Sequence, residues 1–168
     1  MSNKSHALVI RSLRLLGLLC FAAVGIALIS QYVYDMQPCA WCVFQRLLYL
    51  IIGAVALLAT LGQPRKVWLS LTAAFVVAGS IAGMTSAWYQ ERVAANTFSC
   101  AQTLADQIMT KSGLESVAPW LFGIYASCMD ARVTMLGIEY AWWSMLMFAL
   151  VGTIGASTLW TLTRRTHR

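Results

Sequence analysis

Five cysteines are the residues of this 168-residue chain best equipped for chemistry: Cys20, Cys39, Cys42, Cys100 and Cys128. Cys39 and Cys42 form Cys-Ala-Trp-Cys. A CxxC pair closes a small disulfide ring at little entropic cost and reopens it readily, one thiolate attacking and the other resolving. Zinc is the usual rival for such a pair. Here the next two cysteines stand 28 positions apart rather than as a second CxxC, and both histidines, His6 and His167, lie near the chain ends. The pattern favours dithiol exchange over metal binding. A purely structural CxxC bridge closes too small a loop to add much stability. Arg46 follows Cys42 by four residues, a spacing that puts both side chains on one helical face. An arginine beside a cysteine favours the thiolate, the reactive form, and its guanidinium can hold a carbonyl oxygen. The same arginine could equally be a snorkelling anchor at a helix end, and spacing does not decide between these roles.

Cys100 and Cys128 have two readings. A compartment that permits disulfides favours their pairing. As a staple around a loop of about 28 residues, that bond would contribute roughly 3 kcal/mol. As an exposed disulfide in a polar, loosely patterned loop, it would instead exchange with the thiols of a partner. Cys20 stands inside an apolar run, where a free cysteine behaves as a small hydrophobe. It is the odd one of the five.

What positions these residues is read from composition. The chain is 60% hydrophobic and 11% charged, with a mean hydropathy of +0.69, whereas a soluble domain carries about 25% charged residues. Residues 15–34, 47–64, 67–90 and 140–163 contain no charged side chain, giving runs of 20, 18, 24 and 24 residues. About 20 apolar residues in a helix cross a hydrocarbon core. Strands of a membrane barrel would alternate in segments of about 10 residues, which this sequence does not do. The expectation is an all-α membrane protein, a single domain with four spans at about 15–34, 44–62, 67–89 and 142–163. Outer loops cover about 32–43 and 90–141. The first apolar stretch exceeds the 7–15 residues of a signal peptide core, and is read as a retained span.

Charge sets the orientation. Both termini and the 63–66 turn share one side, with Lys4, Arg11, Arg14, Arg65, Lys66, Arg164, Arg165 and Arg168. The other side holds Arg46, Arg92, Lys111 and Arg132, and all six acids. Positive residues mark the inner face, so the termini are expected in the cytoplasm and the cysteine loops outside. The net charge of +6 is then a cytoplasmic collar. Nothing resembles a nucleic-acid face, because no basic stripe is interleaved with stacking aromatics. In the second outer loop, residues 116–129 are a charge-free run of 14. That run is too short to span and suits an interfacial segment, with Trp120, Phe122 and Tyr125 at headgroup level. Ordinary packing of the loop on its own helices is the alternative. Upstream, Ala101, Leu104, Ala105 and Ile108 follow helical spacing.

Four spans, a CxxC after the first and two cysteines in the second outer loop together resemble the bacterial disulfide bond formation protein B (DsbB) family. The resemblance runs from about residue 10 to 163. Cys39-Ala40-Trp41-Cys42-Val43-Phe44-Gln45-Arg46 is similar to the family's quinone-proximal motif. Cys100 and Cys128 match its loop pair, and Leu136-Gly137-Ile138-Glu139 with Trp142-Trp143-Ser144 matches the start of the last span. One departure concerns the outer end of span three. Some members carry a histidine there, near the quinone, where this chain has Thr85-Ser86, with Glu91 and Arg92 nearby. The resemblance implies an inner-membrane thiol:quinone oxidoreductase with catalytic Cys39, Cys42, Cys100 and Cys128, and with Arg46 at the quinone. It carries Arg46 over, and leaves the second quinone contact open within the Ser86, Glu91 and Arg92 region.

It further implies a relay. A reduced periplasmic thiol oxidase of the DsbA type attacks the Cys100–Cys128 disulfide, with Cys100 forming the mixed disulfide. The loop pair then reduces Cys39–Cys42, and Cys42 passes electrons to ubiquinone or menaquinone. The chain is read as a monomer. The competing expectation is a tetraspan scaffold whose cysteines only staple the outer loops. Further rivals are a metal-binding membrane protein and a relative dedicated to a different thioredoxin-like partner. The vitamin K epoxide reductase type places its CxxC near a late helix and is set aside.

Overall fold

The computed structural model describes residues 3–62, 64–96 and 103–164. Four helices are long and apolar enough to cross a membrane: α1 (Asn3–Val33), α2 (Ala40–Leu58), α3 (Lys66–Arg92) and α7 (Tyr140–Arg164). They make an all-α four-helix membrane protein. A 31-residue α1 rises about 46 Å, well beyond a core of about 30 Å. Its first three turns, residues 3–14, therefore extend past the apolar run. Leu15, Leu18, Phe21, Ile29, Leu71, Phe75, Ile81, Leu146 and Leu150 point outward, as a lipid-facing surface requires.

Small residues bring the helices together, as is usual where lipid removes the hydrophobic drive between them. Fully buried Cys20 packs at Gly53, its Cβ 3.0 Å from where a side chain there would begin. Between α3 and α7, Gly152 faces Ser80 and Gly155 faces Val76. Gly83 admits the Phe148 ring, and a β-carbon there would lie 2.3 Å from two of its atoms. Phe148 stacks on Tyr49 at 4.0 Å, with 6° between the planes. The Tyr49 hydroxyl donates to the Ser144 carbonyl at 2.9 Å. One small residue in α3 thus fixes an aromatic stack that joins α2 to α7.

The connection between α3 and α7 is built from short pieces. A 3-10 turn at Ala94–Asn96 follows α3. Helix α4 (Leu104–Ser112) opens with a capping box, in which the Thr103 side chain accepts from the Asp106 N–H and the Asp106 carboxylate accepts from the Thr103 N–H. Two single turns follow, α5 (Leu114–Val117) and α6 (Pro119–Phe122). The helical spacing expected upstream is real, but α4 buries Ala105 and Met109, while Leu104 is exposed. Ala101 lies outside the described residues. Phe122 turns inward against Val43 and Met109 rather than lying with Trp120 and Tyr125, which are exposed. A small hairpin of β1 (Thr134–Met135) and β2 (Ile138–Glu139), with Met135 paired to Ile138, leads into α7. Its turn residues, Leu136 and Gly137, both have positive φ, as a two-residue hairpin turn demands. Only the glycine takes that conformation freely. Arg132 ties the hairpin to α3, bonding Glu91 at 3.0 Å and Glu139 at 2.9 Å.

Candidate functional site: a cysteine chain leading to a cavity

Cys39 is the N-cap of α2, and Cys42 lies in its first turn. Cys39 is extended (φ −89, ψ 172), and its carbonyl accepts from the Val43 N–H at 3.0 Å. The helix starts between the two cysteines, so both sulfurs meet on one side, with Sγ atoms 3.2 Å apart. A helix N-terminus favours negative charge in its first turn, which suits a thiolate there.

Cys128 reaches the same place from the second loop. Its side chain packs against the apolar cluster of Cys39, Ala105 and Ala131, close enough to shift the Cys39 thiol. The loop is held there by the backbone. The Pro38 carbonyl accepts from Tyr125 N–H at 3.0 Å and from Ala126 N–H at 3.3 Å. The Tyr32 hydroxyl donates to the Trp120 carbonyl at 2.8 Å. The order of sulfurs is therefore Cys128, Cys39, Cys42. Cys39, fully buried in the middle, has its thiol pushed well above the ordinary range. The neighbouring Cys128 side chain contributes most, then the hydrogen bond with Cys42, then burial. A sulfur so reluctant to carry charge is a poor attacking group and a poor leaving group, so in a disulfide with Cys42 it is the sulfur suited to be attacked, with Cys42 released. Cys100 lies outside the described residues.

Beyond Cys42 lies a cavity of about 170 Å³. An engineered apolar cavity of about 150 Å³ takes a benzene ring, so a single substituted ring is the right scale of guest. Helix α1 contributes Ala23, Ile26 and Ala27, α7 contributes Tyr140, Trp143, Ser144 and Met147, and the hairpin contributes Met135. The Trp143 indole N–H donates to the Met135 carbonyl at 3.1 Å and fixes the hairpin over this space. Besides Tyr140 and Ser144, polar lining comes from Cys42, Gln45, Arg46, Tyr49 and Gln90.

Arg46 is 5% exposed. Its Nη1 donates to Gln31 Oε1 at 2.7 Å and to the Leu121 carbonyl at 3.3 Å. Its Nη2 donates to the Ala27 carbonyl at 3.3 Å. Among the described residues no carboxylate pairs with it; the two ion pairs belong to Arg132. A cation buried without a counter-charge is costly. Placed beside Cys42 and a ring-sized cavity, it is suited to a negative charge that comes and goes. The snorkelling alternative does not describe a side chain this enclosed.

Sequence comparisons identify the family. The family model described as Disulfide bond formation protein DsbB matches residues 11–158. The chain belongs to the DsbB family. Curated relatives named Disulfide bond formation protein B occur in Stutzerimonas stutzeri and Nitrosomonas europaea. The first is 31% identical, covering 84% of this chain and 87% of the relative. The second is 29% identical, covering 87% and 90%. Disulfide bond formation protein B 1 of Pseudomonas putida is 30% identical over 86% of each chain. With its four apolar helices, this DsbB-family chain is a multi-pass inner-membrane oxidoreductase of disulfide formation.

The structure brings Cys39, Cys42, Cys128 and Arg46 into one site. The region left open for a second cavity contact resolves differently. The Ser86 hydroxyl donates to the Gly83 carbonyl at 2.7 Å, Glu91 pairs with Arg132, and Arg92 lies over the Trp142 ring. None of the three lines the cavity, whereas Gln90, their neighbour, does. Gln90, Gln45, Gln31 and Tyr49 were not singled out from sequence. The available signal was polarity within apolar spans, where such residues usually serve the interior of the bundle.

Proposed function

We propose that this protein reoxidises a periplasmic dithiol oxidase of the DsbA type and passes the electrons to a membrane quinone, ubiquinone or menaquinone. The observation that carries the reading is the sulfur order Cys128, Cys39, Cys42, ending at a cavity that Arg46 also lines. The partner's dithiol gives two electrons to Cys100–Cys128, with Cys100 taking the mixed disulfide by family analogy. The Cys128 thiolate then attacks Cys39, and the electron pair leaves on Cys42. Arg46 balances the negative charge on Cys42 and offers N–H groups to a carbonyl oxygen. A bound quinone supplies the two-electron acceptor for which the cavity's apolar walls and single polar end are suited.

The orientation follows the basic residues: termini in the cytoplasm, cysteine loops in the periplasm. Exposed Trp120 and Tyr125 support a second loop lying at the headgroup level. The monomer suffices for this path, and nucleic acid has no part in it. The test is quinone reduction by detergent-purified protein given reduced DsbA-type partner, followed by quinone absorbance. Wild type should reduce quinone. Each of Cys39→Ser, Cys42→Ser, Cys100→Ser and Cys128→Ser should abolish the reaction, and Cys20→Ser should leave it intact. No reduction of either quinone by folded, disulfide-intact protein would favour the scaffold.

A further inference from the structure

The Cys42 sulfur receives a directed hydrogen bond. Gln90 Nε2 lies 3.2 Å from Cys42 Sγ, and Gln45 Nε2 donates to Gln90 Oε1 at 2.8 Å. Both glutamines are buried. With its oxygen engaged by Gln45, the Gln90 amide has only its nitrogen to turn toward the sulfur. A thiol or disulfide sulfur is a weak acceptor, whereas a bond to a thiolate is charge-assisted and about twice as strong as a neutral one. The donor is therefore better matched to Cys42 after it gains an electron pair than before. Arg46 brings charge but sends its recorded N–H bonds to Gln31, Ala27 and Leu121. Among the described residues, Gln90 is the side chain that aims an N–H at this sulfur.

We infer that Gln90 is a catalytic residue of the step that opens the Cys39–Cys42 disulfide, and that Gln45 is its positioning residue. In that step the Cys128 thiol gives its proton to water, and the resulting thiolate bonds to Cys39 Sγ. The Cys39–Cys42 bond breaks, and its electron pair stays on Cys42 Sγ, where the Gln90 N–H meets it. A donor that binds the leaving sulfur more tightly as charge develops lowers the barrier. The role in turnover rests on the relay proposed above; the contact itself does not.

The test therefore uses neither partner nor quinone. In full-length protein with Cys20, Cys39, Cys100 and Cys128 changed to serine, Cys42 alkylation by iodoacetamide is timed across pH 6–10. A bond to a charged group changes the thiolate population by about tenfold or more. The lower intrinsic nucleophilicity of a stabilised thiolate offsets about half of that on a logarithmic scale. Gln90→Leu should slow alkylation at pH 7 about three- to tenfold, with the gap closing and then reversing at high pH, where both proteins are ionised and the less stabilised thiolate is the better nucleophile. Gln45→Leu should act in the same direction, less strongly. Gln90→Glu, nearly identical in shape, should slow it at least as much and guards against misfolding of the leucine variant. Equal rates at pH 7 in the leucine and glutamate variants overturn the assignment. So does a deficit that persists undiminished at high pH, which would report access rather than ionisation. Gln90-dependent alkylation in a protein that never reduces quinone overturns the relay alone. A working relay with Gln90-indifferent alkylation overturns Gln90 alone.

Discussion

Gly83→Ala tests whether packing in the bundle sets the shape of the cavity beside Cys42. The new β-carbon would lie 2.3 Å from two Phe148 ring carbons and 2.4 Å from a third. Carbon atoms rest at about 3.5–4.0 Å, so the ring must retreat by more than about 1 Å. It has no slack, being fully buried and stacked on Tyr49 at 4.0 Å. Overpacking costs about 1–3 kcal/mol, and a rigid stack behind the ring puts this case near the top. At about 2–4 °C per kcal/mol for a chain of this size, the apparent melting temperature should fall by roughly 5–10 °C. Tyr49 is also a cavity wall, so its displacement should raise the quinone KM several-fold. Reduction of the cysteine pairs by partner dithiol in a single turnover should stay as in wild type, because the sulfurs do not touch this stack. Thermal unfolding in detergent and steady-state quinone kinetics give both numbers. Gly83→Ala combined with Phe148→Leu should recover part of each loss, a non-additive pair of the kind contacting residues show. An unchanged melting temperature, or thiol exchange and quinone use impaired equally, would refute the reasoning.

Arg46→Met should abolish most quinone use while leaving the unfolding free energy within about 1 kcal/mol of wild type. Three lost hydrogen bonds, at about 1–3 kcal/mol each, are set against relief of an unpaired buried charge that costs several kcal/mol; a large destabilisation, or full activity, would contradict the role given to this residue. The reduced Cys39 thiol should resist alkylation at pH 8, since the neighbouring cysteines and burial hold it above the ordinary thiol range. Cys128→Ala removes the largest of those causes, so Cys39 should alkylate faster, and a slower rate would reverse the sign of the argument. The same shift makes reduced protein most stable below the ordinary thiol pKa and less stable as pH rises toward the elevated folded value, which unfolding midpoints at pH 7 and 10 would measure.

Much of this was legible in the residues, for identifiable reasons. Apolar runs long enough to cross a membrane have few alternatives to helix, so the four spans followed from charge-free stretches. The CxxC and Arg46 are local in sequence, and their helical spacing predicts their shared face. Convergence of Cys128 on Cys39 depends on backbone bonds between Pro38 and residues 125–126, which no side-chain pattern announces. Gln90 escaped notice because it ends an apolar run as an uncharged residue. Its meaning comes from Gln45, 45 positions away. Phe122 is expected at the headgroup level with Trp120 and Tyr125 but turns inward, because a single-turn loop helix packs against whatever tertiary neighbour is offered, here Val43 and Met109, rather than by its own periodicity.

The attachments of the second loop have a bearing on how such proteins diverge and can be recombined. Where the loop meets α1, α2 and the first loop, its polar contacts at Trp120, Leu121, Tyr125 and Ala126 are all made by its main chain. Every residue type except proline offers the same N–H, and every one offers the same carbonyl. The loop's outward side chains are thus free to drift toward new clients without shifting the register that brings Cys128 to Cys39. Chimeras that exchange exposed loop residues between relatives as different as those at 30% identity should therefore change which client is served while keeping the wiring inside the bundle.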